Sequence, residues 1–435
     1  MTVTATNSKF KKTGLDWMPE VPEHWGVVRL KNFSSLKARI GFHGLNSTDF
    51  IDEGPYCITG TDFANGVIDF TTCYHVSVYW YNMDSNIQIQ NGDILVTKDG
   101  TIGKVAIVKN LNQKATLNSG VFVLRVFSKL DTEYFFWLLH SQCFKIQIEL
   151  IKRGTTINHL YERDFRNFLF PVPPLTEQAA IVQYIQAKEE KINRFIEKKQ
   201  RLIELLKEQR QGVIDEVVSG KRLVVSDELL VVSDERLVKP QKTKPSGVDW
   251  LGDIPEHWEM RRLKNCGSFQ SGENITSQEI ENTGEFPVYG GNGLRGYYNH
   301  FTHEGDYVLI GRQGALCGNI NYAHGRFWAT EHAVVVTLKP NIDYFWFGET
   351  LRVMNLNQYS QSAAQPGIAI ENIRRLHLPF PPLEEQKQIV SYIKTETATI
   401  DTAIDKAERE IELIREYKEA MISEAVMGKR MIVNY

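Results

Sequence analysis

Two stretches of the chain place apolar residues at alternating three- and four-residue spacings over five heptads. The first carries Ile185, Ile192, Lys199, Leu206 and Val213 at one heptad position and Glu189, Ile196, Ile203, Arg210 and Val217 at the other. The second carries Ile393, Ile400, Ala407, Ile414 and Met421, with Thr397, Ile404, Ile411, Lys418 and Ala425. A seam of this period predicts long helices that pair as a coiled coil. Phe195 and Leu202 widen the first stripe, and from Thr176 to Val218 there is no proline and one glycine, Gly212. Two core helices of a globular domain would show a similar stripe. Lys199, Arg210 and Lys418 within it fit an exposed pair better, because long cationic side chains can reach out of a thin seam into water.

Ahead of each helix the pattern changes. Some 160 residues are rich in β-branched and aromatic types with Gly, Asn and Asp between them, as in GVFVLRVF at 120–127 and HAVVVTL at 332–338. These predict a strand-rich domain with short helices, such as DTEYFFWLLHSQCF at 131–144. A Pro-Pro pair then stops the sheet. It puts Thr176 at the N-cap and Glu177 in the first turn, where the helix dipole favours negative charge.

The chain writes this module twice. GLDWMPEVPEHW at 14–25 answers to GVDWLGDIPEHW at 247–258, and NGDILVTKDGTIG at 91–103 answers to EGDYVLIGRQGALCG at 304–318. PVPPLTEQAAIV at 171–182 answers to PFPPLEEQKQIV at 379–390, and the exit SGK at 219–221 to MGK at 427–429. Four matches in one order mark an internal repeat. The expected layout is a tail at 1–12, a strand-rich domain at 13–175 and a helix at 176–221. A linker at 222–245, a second strand-rich domain at 246–383, a second helix at 384–430 and a tail at 431–435 follow. A parallel helix pair would require the linker to return along a rod of about 64 Å, nearly fully extended. The expected fold is therefore α+β: two similar strand-rich domains joined by two long helices in an antiparallel coiled coil, a pseudo-two-fold repeat. The linker also holds LVVSDEL followed by LVVSDER at 223–236, a duplication read as neutral.

Composition narrows the function. The 435 residues carry a net charge of −3. Five scattered cysteines without a C-x-x-C pair argue for a reducing cytosol and against a zinc site. No apolar run approaches the roughly 20 residues of a membrane helix, so no membrane partner is expected. Catalytic and metal motifs are missing. The G-x-G-x-x-G at Gly291, Gly293 and Gly296 is followed by YYNHFTHEG, not by the helix a dinucleotide phosphate needs. His24 and His257 have no carboxylate or Cys at ligand spacing, and Trp25 and Trp258 read as packing anchors.

A pseudo-dyad suits duplex DNA, which has its own approximate dyad. In the first module the candidate contacts are Lys98, Thr101 and Lys104 beside a glycine turn, and Arg153, Thr155, Thr156, Asn158 and His159 in KRGTTINH. In the second they are Asn292 and Arg295 in the glycine loop, Arg312 and Gln313 at the Lys98–Asp99 position, and Ser360, Gln361 and Gln365 in SQSAAQPG. Arg and Lys suit guanine edges or phosphates; Asn and Gln suit adenine. Residues 246–383 hold 10 Lys and Arg against 14 Asp and Glu, so any DNA contact there is a local strip.

These motifs together, G-x-D-W with P-E-H-W, then G-D, then P-P-L-x-E-Q opening a long helix, resemble the specificity subunit of type I restriction–modification enzymes. The resemblance runs from about Gly14 to Arg430. It implies two target recognition domains, each reading one part of a bipartite double-stranded DNA site. It implies helices that hold two methyltransferase subunits and, through them, restriction subunits. It implies adenine methylation with S-adenosylmethionine, ATP and Mg on those partners and no cofactor on this chain, which is itself non-catalytic and cytoplasmic. A different reading remains: a coiled-coil scaffold whose two β-rich heads bind proteins.

Overall fold

The computed structural model describes residues 9–39, 45–127, 129–152, 159–222, 242–314, 316–360, 367–430 and 432. The chain forms two compact units. One comprises Met1–Lys199 and Arg409–Tyr435, the other Gln200–Glu408.

Both units are built on four strands in one spatial order. In the first it is Ser34–Ala38, Val121–Val126, Ile94–Thr97, Val105–Ile107, and in the second Gly267–Ser271, Ala333–Leu338, Tyr307–Gly311, Ile320–Ala323. The central strands hold antiparallel registers such as Val123↔Leu95 and Val335↔Leu309. Their near-continuous apolar sequences follow from burial on both faces; all four side chains of Ile94–Thr97 are buried. Beyond these four strands the units differ. The first sheet continues through Val67–Ile68 to Phe63–Ala64. Each unit also has a separate sheet, three-stranded in the first (Ala115–Leu117, Phe50–Ile58, Tyr74–Val76) and four-stranded in the second (Gly293–Tyr298, Phe286–Gly290, Arg326–Ala329, His303–Glu304).

A short helix packs on each sheet. Thr132–Leu139 is capped by Asp131, whose carboxylate accepts from Tyr134 N at 2.8 Å, and Tyr344–Val353 by Asp343, which accepts from Trp346 N at 2.9 Å. Capping of this kind contributes about 1 kcal/mol. In 131–144 the expected single helix divides into Thr132–Leu139 and Gln142–Lys152.

Strand pairing reaches into the expected tail and linker. Phe10–Leu15 begins inside the expected tail 1–12 and pairs with Met18–Pro22, setting Lys12 opposite Glu20. Thr243–Pro245 lies within the expected linker 222–245 and pairs with Asp253–Pro255. Cross-strand pairing to the repeated P-E-H-W entrance organises both segments. The 223–236 duplication falls outside the described residues.

Two 44-residue helices, Leu175–Val218 and Leu383–Val426, follow the sheets. Each begins at its Leu, so Thr176 lies inside the first turn and does not cap it. The carbonyl of Pro174 accepts from Glu177 N at 2.9 Å and Gln178 N at 3.0 Å instead. Within the first unit Glu189 meets Lys418 at 2.7 Å and Lys199 meets Glu410 at 2.5 Å. Within the second, Lys207 meets Glu408 at 3.7 Å and Arg210 meets Asp401 at 2.7 Å. Numbers rise on one helix as they fall on the other, which is antiparallel pairing. The seam cations thus do not simply reach into water: Lys199, Arg210 and Lys418 each find a carboxylate across the seam. Of the seam positions, Ile185, Ile192, Ile203, Ile393, Ile400, Ile404 and Ile411 are buried, while Ile196, Leu206 and Ile414 are half-buried.

Candidate nucleic-acid interface

The loops that differ between the units stand on a frame that is the same in both. Glu177, in the first turn of the first long helix, binds two side chains of the P-E-H-W segment. Its Oε2 accepts from Trp25 Nε1 at 2.9 Å and its Oε1 lies 2.6 Å from His24 Nε2. Glu385 repeats this with Trp258 Nε1 at 3.0 Å and His257 Nε2 at 2.9 Å. The neighbouring Gln178 accepts from Asp131 N at 2.7 Å and donates to Pro173 O at 2.8 Å. Gln386 does the same with Asp343 N at 2.9 Å and Pro381 O at 2.9 Å. Both glutamines are fully buried, and both have their amide spent on backbone. Sequence reasoning took His24 and His257 as lacking a carboxylate; the carboxylate arrives from some 150 and 130 positions downstream. The available signal was that P-E-H-W and P-P-L-x-E-Q are duplicated together.

The exit glycines complete the frame. Gly428 and Gly220 have φ of +71° and +74°. A Cβ on Gly428 would lie 2.5 Å from Pro22 Cδ and 3.0 Å from Trp25 Cζ3; on Gly220 it would overlap the Pro255 ring and lie 3.0 Å from Trp258 Cζ3. The exit of each long helix therefore docks beneath the tryptophan of the other repeat.

In the first unit, Thr97 closes the loop 98–104. Its Oγ1 donates to Thr101 O at 2.5 Å and accepts from Lys104 N at 3.0 Å. Thr101 and Lys104 are exposed at the turn. Lys98 is not: its Nζ sits 5.4 Å from the Phe122 ring centroid, folded against the sheet. Asp99 pairs as a β-bridge with His159 and bonds its ring Nδ1. Arg153, Thr155, Thr156 and Asn158 lie outside the described residues.

The second unit repeats the bridge with other side chains. Gln313 pairs with Gly367, as Asp99 does with His159, and Ile368 N donates to Arg312 O at 2.9 Å as Leu160 N does to Lys98 O at 2.8 Å. The proposed alignment of Arg312–Gln313 with Lys98–Asp99 is thus a structural equivalence. Ser360 Oγ accepts from Gly367 N at 3.1 Å; Gln361 and Gln365 lie outside the described residues. Arg312 is half-buried and donates from Nη1 to Ser271 Oγ at 3.1 Å, which braces the loop against the strand Gly267–Ser271. Here the glycine-rich run 290–296 forms a hairpin turn whose tip presses on the loop, with Gly291 O against the Cα of Gly311, leaving no room for a side chain at Gly311. Strand, not helix, follows the turn, so the rejected dinucleotide reading has no helix N-terminus behind it. Gly291, Asn292, Gly293, Leu294, Arg295, Gln313 and His332 line a cleft of about 300 Å³. Three expected contacts, Asn292, Arg295 and Gln313, come together there.

All five cysteines are buried; burial pushes the Cys57 thiol up to about 12 and holds Cys143 far above its ordinary range. Among the described residues no group of three His, Cys, Asp or Glu could hold a metal, and no helix is long and apolar enough to cross a membrane.

Comparison with known proteins gives a consistent result. The type I restriction modification DNA specificity domain matches residues 22–205 and 255–413. The chain is similar to the type I restriction enzyme EcoprrI specificity subunit of Escherichia coli, 42% identical over 144 residues. That match spans 32% of this chain and 36% of the relative, so the chain covers about a third of that protein. Similarity to the type I restriction enzyme MjaVIII specificity subunit of Methanocaldococcus jannaschii is 24% over 450 residues, 95% of each chain. A solved structure concerning complex assembly and conformational transition of the type I R-M system contains a chain of similar fold. The TM-score is 0.64 at 18% identity, over 94% of this chain and 99% of that one.

Proposed function

The chain belongs to the type I restriction modification DNA specificity family, and from that premise we propose that each of its two units reads one part of a bipartite duplex DNA target. One observation carries this reading: an identical frame of Trp, His, Glu, Gln and Gly surrounds loops that differ in length, sequence and bound partners between the units. A shared frame with divergent loops is what two readers of unlike half-sites require.

The chain supplies recognition and its partners supply chemistry. Two methyltransferase subunits held by the long helices methylate adenine, and restriction subunits join through them. S-adenosylmethionine, ATP and Mg are carried by those partners. Support lies in the residues themselves: the G-x-G-x-x-G at Gly291, Gly293 and Gly296 has no helix behind it, and no Cys or carboxylate stands at ligand spacing from His24 or His257. Phosphate contacts from exposed Lys104 and its neighbours position the duplex; side chains at the loop tips read base edges.

The test is methylome sequencing of cells that express the chain with methyltransferase subunits. A bipartite adenine-methylated motif that disappears when the chain is omitted is the expected result. Capture of protein partners with no change in DNA methylation or DNA binding would favour the scaffold reading.

A further inference from the structure

The described arginines of the second unit have almost all been put to use inside the molecule. Arg201, Arg210, Arg222, Arg261, Arg326, Arg352, Arg374 and Arg375 are ion-paired to carboxylates. Arg262 donates to His377, and Arg312 to Ser271. Arg295 alone among them bonds to no described residue, although it is exposed on a domain in which acidic residues outnumber basic ones.

Its direction is set by the hairpin. Gly290 and Gly293 form the closing pair of the turn. A Cβ on Gly290 would lie 2.5 Å from Arg295 Cδ and 3.1 Å from its Cγ, so the bare Cα of Gly290 is the bed on which the aliphatic chain of Arg295 rests. The guanidinium is thereby carried to the rim of the 300 Å³ cleft that Gln313 also lines. Gln313 is exposed, and its amide bonds to no described residue. Asn292 completes the rim; its Oδ1 accepts from Asn319 Nδ2 at 3.3 Å, which leaves its own Nδ2 without a described partner. A guanidinium with five donors, beside the unbonded carboxamide of Gln313 and the amide nitrogen of Asn292, is suited to a base edge. A phosphate needs only charge.

We propose that Arg295 is a specificity-determining residue of the second unit, reading the O6 and N7 edge of one guanine, with Gln313 reading the adjoining base pair. This rests on the reading of the chain as a DNA-recognition subunit.

The test uses the full chain assembled with methyltransferase subunits and reads its methylated motif in wild type, Arg295→Ala, Arg295→Lys and Gly290→Ala. Thermal unfolding of each variant confirms that it folds. In wild type, the half-site that persists when residues 26–170 are grafted from a relative must contain a G·C pair. Arg295→Ala should lose roughly 5- to 150-fold of the discrimination at that pair alone. Arg295→Lys should fail to restore it, since an ammonium cannot form the bidentate contact. Gly290→Ala keeps the charge but displaces the side chain, and should relax the same position. Uniform weakening on all sequences, with a shallower salt dependence and rescue by lysine, would make Arg295 a phosphate contact and overturn the proposal. An unaltered motif in Arg295→Ala, or a second half-site without a G·C pair, also overturns it. A wild-type complex that yields no bipartite motif overturns the DNA-recognition reading itself, and is thereby distinguished from a failure of Arg295.

Discussion

Trp25 donates its indole N–H to Glu177 across 152 positions of sequence, and Trp258 donates to Glu385 in the same way across 127. Both indoles are essentially buried, so their N–H groups depend on these carboxylates. Loss of the acceptor leaves a buried donor unpaired, at a cost of about 1–3 kcal/mol. Glu177→Ala should destabilise the first unit within that range, and Glu385→Ala the second by more, because Glu385 is 14% exposed and Glu177 38%. Glu→Gln keeps an acceptor oxygen and should cost less at both sites. Hydrogen exchange of the two indoles, followed separately, checks the pair. Equal protection in wild type and Ala variants would show that the carboxylate does not hold the indole N–H.

The exit glycines give a prediction about which repeat responds. Gly428 closes the second long helix but lies under Pro22 and Trp25 of the first repeat; Gly220 closes the first but lies under Pro255 and Trp258 of the second. Alanine at either site meets an unfavourable φ, costing about 1–2 kcal/mol, and a clash with a proline ring in addition. Gly428→Ala should therefore lower hydrogen-exchange protection around Met18–Arg29, and Gly220→Ala around Asp253–Arg262. Perturbation confined to the mutated helix's own repeat is the outcome that contradicts this exchange of exits.

Polar seam pairs should set pairing register more than stability. Glu189–Lys418 is the least exposed of them, at 26% for each side chain. A double-mutant cycle with Glu189→Gln and Lys418→Met should return a coupling of about 0.5–1 kcal/mol. Raising salt to 1 M should shrink it only in part, since partly buried pairs are less screened. A coupling near zero would mean that the buried isoleucines alone fix the register.

The parts of this fold that were legible in the sequence are those with a local period. Ile185, Ile192 and Ile203 announce the helix seam because a heptad repeats within a few residues, and Ile94–Thr97 and Val121–Val126 announce strands by composition. What could not be read depends on distant partners. Nothing near Lys199 or Arg210 shows that Glu410 and Asp401 face them, and nothing near His24 shows Glu177. The same limit applies to the loops expected to contact DNA. Arg295 and Arg312 look equivalent as residues in glycine-flanked turns. Only the fold reveals that Ser271 occupies one while Gly290 supports the other without binding its guanidinium. The placement of Lys98 is illegible for the same reason, because Phe122, whose ring lies 5.4 Å from its ammonium, is 24 positions away.

The frame also predicts that recognition can be exchanged one half at a time. The residues that clasp the first unit to its helix, Pro22, His24, Trp25, Glu177 and Gln178, all lie outside 26–170. Gln178 grips this interval only through backbone groups, the N–H of Asp131 and the carbonyl of Lys129. Backbone contacts of this kind do not depend on which side chain a relative supplies. At the graft boundary, strand Gly26–Arg29 pairs with Leu169–Val172, so the interval enters and leaves through one two-stranded ladder whose register can be kept. Replacing 26–170 by the matching interval of a relative should therefore preserve folding and change one half of the methylated motif, leaving the other half as it was. Methylome sequencing of the hybrid reads both halves at once. A hybrid that folds and methylates but alters both halves would show that the two units do not read independently, and the shared frame would then have to transmit specificity as well as hold it.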